Sequence, residues 1–147
     1  MRIQSLSDAS PVIGKSPFVA RDYTYADLNL TFAPNPITGD LNPLKDLEAI
    51  KASVRNLILT NYNERPFQPE IGSGIRGLLF EPADIITMHD IEEAVKRTIE
   101  NFEPRVIVLG VQVTDDVDNN SYTISIEYRI LSNQQVGSTT LVLERLR

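Results

Sequence analysis

Four glutamates in this chain lie in or beside turns: Glu64, Glu70, Glu81 and Glu103. Two carboxyls held about 5–5.5 Å or 6.5–9.5 Å apart can hydrolyse a glycosidic bond. The acid of such a pair needs a pKa raised by burial or by a neighbouring negative charge. Glu64 is followed by Arg65, and Glu103 stands two residues before Arg105. Pairing with those guanidinium groups would depress the carboxyl pKa values instead. The chain also has no Trp to stack on sugar rings, although Tyr and Phe can serve. A peptidoglycan-degrading, lysozyme-like hydrolase is therefore the alternative reading, not the leading one.

Other constellations fare no better. Gly72-Ser73-Gly74-Ile75-Arg76-Gly77 matches G-x-G-x-x-G. Phosphate binding by that motif needs a strand before it, a helix opening from it, and a parallel βαβ unit around it. Here Pro66 and Pro69 precede it and Pro82 follows, so the glycines read as turn residues with positive φ. His89 is the only histidine, with Glu92 and Glu93 at helical spacing. It lies about 200° around the helix from Ile91, on the polar side, so a solvated position is expected. Asp115-Asp116-Val117-Asp118-Asn119-Asn120 lacks the spacing, central Gly and terminal Glu of an EF-hand and reads as a hairpin turn. No G-x-S-x-G nucleophile elbow is present.

The elements that position these residues follow from periodicity. Residues 1–40 read as an extended N-terminal arm, with Pro11, Pro17, Pro34 and Pro36. Within it Leu28, Leu30 and Phe32 alternate with polar residues across a strand-like patch, Tyr23 to Phe32. Residues 34–40 form a turn. A single domain then spans 41–147. Asn42 is the expected N-cap, with Pro43 at the first helical position. Leu47, Ile50, Val54, Leu57 and Ile58 follow at helical spacing, and the helix ends near Thr60. A turn-rich link spans 61–82, with Leu78, Leu79 and Phe80 as an apolar anchor. A second amphipathic helix runs from about Asp84 to Phe102, capped by Asp84 or Thr87, with Ile91, Ala94, Val95, Thr98, Ile99 and Phe102 on one face. Three strands close the chain. Ile107, Leu109, Val111 and Val113 are expected to share a face in the first. Tyr122, Ile124, Ile126, Tyr128 and Ile130 share one in the second, and the third covers Thr139–Leu146. The fold class is α+β, with two helices packed on a small, mainly antiparallel sheet.

Composition narrows the function. The chain has 147 residues and a net charge of −6. That balance argues against nucleic acid and anionic membrane surfaces, which both call for basic faces. With no cysteine there is neither a disulfide framework nor a thiolate metal site. No apolar run approaches a membrane span, and Met1–Ser10 has no signal-like apolar core.

The most informative tripeptide is Glu103-Pro104-Arg105. Pro104 stops the second helix at about Phe102. Glu103 then meets the negative end of the helix dipole, where an anion is unfavourable. The fork of Arg105 can hold Glu103 or a carboxylate on another chain. This stiff corner is expected outside the core, with two charges held out for a partner.

Three segments together resemble one family: Asn42-Pro43 with Ile50 to Thr60; Glu64-Arg65-Pro66-Phe67-Gln68-Pro69-Glu70-Ile71-Gly72-Ser73-Gly74; and Asn101-Phe102-Glu103-Pro104-Arg105-Val106. They resemble the baseplate wedge family of contractile-tailed phages, once labelled lysozyme-like, with relatives in type VI secretion baseplates and other injection machines. The resemblance covers about residues 25–147. It implies a non-enzymatic structural protein of the virion tail baseplate, assembled in the host cytoplasm. Its implied partners are the other wedge proteins, including their core bundle, and the tail sheath protein, whose first ring it templates. No nucleic acid, membrane, small-molecule substrate, metal or cofactor is implied. The implied partner-binding residues are Glu103, Pro104 and Arg105, with Arg65, Pro66, Phe67 and Glu70 shaping the domain or backing the corner. Either outer strand of the sheet, Val106–Val113 or Thr139–Leu146, is a candidate edge for a strand from the sheath.

Overall fold

Two helices bury their apolar stripes against one face of an antiparallel sheet. The computed structural model describes residues 23–145. The expectations for residues 1–22 lie outside that range. The elements are β1 (Ala26–Asp27), β2 (Leu44–Lys45), α1 (Asp46–Leu59), α2 (Ile75–Leu78), α3 (Ile85–Phe102), β3 (Val106–Asp116), β4 (Ser121–Ile130) and β5 (Val136–Glu144). The α+β class holds.

Helix α1 buries Ile50, Val54, Leu57 and Ile58, as its spacing requires. Its start differs from expectation. Asn42 and Pro43 do not open the helix, because Leu44 and Lys45 pair antiparallel with Asp27 and Ala26. The Asn42 carboxamide instead accepts a hydrogen bond from Asn35 Nδ2 at 3.0 Å. Asp46 begins the helix with φ 39°, in a left-handed conformation that aspartate tolerates better than most residues. Its Oδ1 accepts from the backbone N–H groups of Thr24 and Tyr25, both at 2.9 Å. A tertiary clasp has displaced a local cap. The strand-like patch Tyr23 to Phe32 likewise shortens to Ala26–Asp27. Asn29 Oδ1 accepts from the Thr31 N–H and hydroxyl and turns the chain. Leu28, Leu30 and Phe32 are left exposed.

The link after α1 is docked at both ends. The Ser73 hydroxyl donates to the Ile58 carbonyl at 2.6 Å, and the Ser73 N–H donates to Thr60 O at 3.0 Å. A Cβ on Gly72 would lie 2.6 Å from the Asn61 carbonyl carbon, so two backbones meet there. Gly74 has φ 65°, and the single turn of α2 follows it. That turn places Ile75 in the core, with Leu79 just beyond it, whereas Phe80 of the expected anchor is exposed.

Helix α3 is capped by Asp84, whose Oδ1 accepts from Thr87 N–H at 2.8 Å. It ends at Phe102 and buries Ile91, Val95, Thr98 and Ile99.

The sheet order is β3-β4-β5. Central β4 buries all five of its predicted inward residues, Tyr122, Ile124, Ile126, Tyr128 and Ile130. In β3 the predicted face holds for Val111 and Val113 but not for Ile107 and Leu109. A bulge between Val108 and Gly110 leaves Leu109 without a partner residue and resets the alternation. Val106, Val108, Val111 and Val113 pack on the core, and Ile107 and Leu109 face outward. Strand β5 starts at Val136, three residues earlier than its periodicity suggested.

Candidate functional site

The corner between α3 and β3 also draws in α1 and the segment around β1. The last turn of α3 closes with the Glu103 N–H donating to Ile99 O at 2.9 Å. Pro104, exposed, then redirects the chain into β3. The Glu103 side chain turns inward and the residue is only 3% exposed. Its Oε1 accepts from Arg105 Nε at 2.6 Å, and Oε2 accepts from Arg105 Nη2 at 2.8 Å. The Ser53 hydroxyl, on α1, donates to the same Oε2 at 2.5 Å. Arg105 extends the network. Its Nη1 donates to both Asp27 oxygens, at 3.0 and 3.1 Å, and its guanidinium lies 5.5 Å from the Tyr25 ring centroid.

This geometry corrects the expectation of two charges held out for a partner. Arg105 answers Glu103 within the chain in a bidentate pair, and its remaining amine holds Asp27. Helix α1, helix α3, strand β3 and the segment around β1 meet at these four side chains. Burial pushes the Glu103 carboxyl up, but the hydrogen bonds from Arg105 and Ser53 and the Arg105 charge outweigh it and hold it below its ordinary value. The same hydrogen bond to Glu103, working against burial, raises Arg105. A carboxyl locked ionised is the reverse of what a glycosidase acid requires.

Arg65 lines a groove of about 240 Å³ together with Asp27, Ser53, Leu57 and Phe102. The link thus reaches the corner through Arg65. Pro66, Phe67 and Glu70 are exposed. Phe67 stands fully in solvent with φ 70°, an unusual conformation for an aromatic residue. Ser53, Asp27 and Tyr25 were not identified from sequence. A serine inside an amphipathic helix was the one available signal, since its hydroxyl needs a partner when its face turns inward. Asp27, in an irregular segment, gave none.

His89 is exposed on α3. Among the described residues no cluster of His, Asp or Glu could hold a metal ion. No helix among them is long and apolar enough to cross a membrane. No strand leads directly into Gly72, since α1 is the element before it, and the helix after Gly74 is a single turn, so the G-x-G-x-x-G match lacks its phosphate-binding context.

Comparison with known proteins bears on this arrangement. The family model described as baseplate wedge protein gp25 matches residues 45–135. Baseplate wedge protein gp25 of Enterobacteria phage T4 is 30% identical over 94 residues, covering 64% of this chain and 71% of that protein. A crystal structure from Geobacter sulfurreducens, described as a tail lysozyme, superposes with a TM-score of 0.63 and 27% identity, covering 67% of this chain and 89% of the other. A chain in the cryo-EM baseplate of the anti-feeding prophage shares the fold, with a TM-score of 0.58, 19% identity, and coverage of 84% and 87%.

Proposed function

Because this chain belongs to the baseplate wedge protein gp25 family, we propose that it is a non-enzymatic structural component joining wedge to sheath in a contractile tail or related injection machine. Residues 41–147 form the wedge domain, and 1–40 form an arm whose inner end, through Asp27, is fastened to Arg105. The corner Glu103-Pro104-Arg105 sets the angle between helical layer and sheet. The adjoining surface of Arg65, Pro66, Phe67 and Glu70 meets the wedge core bundle. The sheet gives the first sheath ring a template by accepting an additional strand. Its place of work is the tail baseplate, assembled in the host cytoplasm.

The observation carrying this reading is an antiparallel sheet covered by helices on one face, whose outer strands β3 and β5 have no further strand beside them among the described residues. Unpaired edge N–H and C=O groups on strands of this length invite a strand from another chain. The ionised Glu103, locked in its pair with Arg105, supports a structural role over hydrolysis.

The test separates folding from assembly. Arg65→Ala and Phe67→Ser alter exposed side chains, so the free protein should keep its stability within about 0.5 kcal/mol. Particles carrying either variant should incorporate the chain poorly into wedges, as counted by electron microscopy. Full incorporation of both would overturn the assignment of the core-bundle contact to this surface. Degradation of purified cell walls by the wild-type protein would overturn the non-enzymatic reading.

A further inference from the structure

The ring of Phe67 stands wholly in solvent and packs on nothing in its own chain. The structure assigns Phe67 as the anchor of the wedge contact: a rigidly presented ring that enters an apolar socket on another wedge protein. This rests on the wedge-component reading above and names which exposed link residue supplies the binding, and by what chemistry.

Gln68 N–H donates to Arg65 O at 3.3 Å, with Pro66 and Phe67 between them. Proline at the second position and a positive φ at the third make this a type II turn, whose third position favours glycine. Phe67 sits there instead, with φ 70°. Any side chain with a Cβ is disfavoured in that conformation, and glycine is not. The turn is held on both sides. Ile71 N–H donates to Gln68 O at 3.2 Å across Pro69, and Asn63 N–H donates to Pro69 O at 2.8 Å. The Glu64 carboxylate accepts from Asn61 N–H, also at 2.8 Å. Two prolines and these bonds fix the direction of the ring before any partner arrives.

A phenylalanine that is merely exposed calls for no explanation. One held in a disfavoured backbone conformation, with no packing in return, does, because such strain persists where function uses it. The other left-handed side chains are accounted for differently. Asp46 and Gln134 make hydrogen bonds within the chain, Asn63 and Asn120 are of a type that tolerates the conformation, and Phe32 has nearly half its surface covered. Interface binding energy concentrates in aromatic anchors that fill a pocket, and a preorganised anchor loses less entropy on docking. The surface beside the ring suits this use. Arg65 and Ile71, on either side of the turn, line the groove of about 240 Å³ together with Leu28 and Leu30, both more than half exposed. A partner that receives the ring can cover this apolar groove in the same contact. Glu64, Arg65 and Glu70 surround Phe67 in sequence and leave the turn net negative. That charge disfavours nucleic-acid phosphates and anionic lipid as acceptors of the ring. A protein socket the size of a phenyl ring, with a carboxylate on its rim to meet Arg65, is the chemistry that fits.

The experiment uses the full-length chain, free and in its assembled particle. Phe67→Gly removes the ring and relaxes the turn, so the free protein should melt a few degrees above wild type. Its incorporation into wedges, counted by electron microscopy, should nevertheless fall about tenfold or more. Phe67→Leu keeps an apolar side chain on the same strained backbone and should melt like wild type, with intermediate incorporation. A ring that served only the fold would lower both readouts together. Benzoylphenylalanine in place of Phe67 should capture another wedge protein on irradiation, and the same group in place of Phe80, also exposed, should not. A Phe67→Gly protein that melts below wild type would overturn the proposal. Full incorporation of Phe67→Gly while Arg65→Ala fails would overturn the anchor and leave the surface reading standing; full incorporation of both would overturn both. Equal capture from positions 67 and 80, or capture of sheath protein or of a second copy of this chain from position 67, would also overturn it. So would sedimentation of the free protein with phosphatidylglycerol vesicles that Phe67→Gly abolishes.

Discussion

Glu103 is the residue where chemistry and architecture meet. Its position after Phe102 and before Pro104 follows from the sequence, because proline ends the helix there. Its environment does not, because Ser53 lies 50 positions away and Asp27 is 78 positions from Arg105. Burial of the carboxylate makes it costly to disturb: removing one partner of a buried pair leaves the other uncompensated. Glu103→Ala should destabilise the protein by about 3 kcal/mol in thermal or urea melts. Glu103→Gln tests the charge alone. A carboxyl whose folded pKa lies below its unfolded value of about 4.3 stabilises the protein above that pH, and the contribution is lost as pH falls through the folded pKa. The stability gap between wild type and Glu103→Gln should therefore be full at pH 7 and close progressively below about pH 4. A gap unchanged down to pH 2 would show that the carboxylate contributes through shape and not charge.

Among the elements, strong single-period patterns were legible and tertiary exceptions were not. The stripe of α3, its Asp84 cap and the alternating face of β4 emerge intact because each is set by local spacing and one buried side. The start of α1 was missed because Asp46 serves the backbone of Thr24 and Tyr25, a contact no capping rule anticipates. The face of β3 was misread up to the bulge, at Ile107 and Leu109, since one extra residue exchanges inside for outside, and only Val111 and Val113 beyond it keep the predicted face. The link 61–82 was recognised as more than a spacer, but its docking through Ser73 and Gly72 needed the fold. There the close approach yields a sharp expectation. Gly72→Ala would drive a Cβ to 2.6 Å from the Asn61 backbone, which cannot rotate away as a side chain could. A loss of about 2 kcal/mol should appear in urea unfolding, in the range typical of overpacked sites. Gly77→Ala, which meets nothing within 4 Å, serves as the control.

At the scale of the whole molecule, family membership was legible from motifs kept in the right order along the chain, more than from any one residue. The distribution of charge within the corner was not, and it changes what that corner is: a junction of α1, α3, β3 and the β1 segment, with the exposed Arg65 beside it. The bulge at Leu109 has a consequence for polymer growth. A sheet with two usable edges is a bifunctional monomer and can add to itself without end. A sheet with one usable edge is monofunctional, and pairing β5 to β5 leaves nothing further to extend. Concentrated solutions of the free protein should then stop at a dimer in analytical ultracentrifugation, with no ladder of larger species. Such a chain cannot be a repeating link of an open-ended strand-paired polymer; it is an end group.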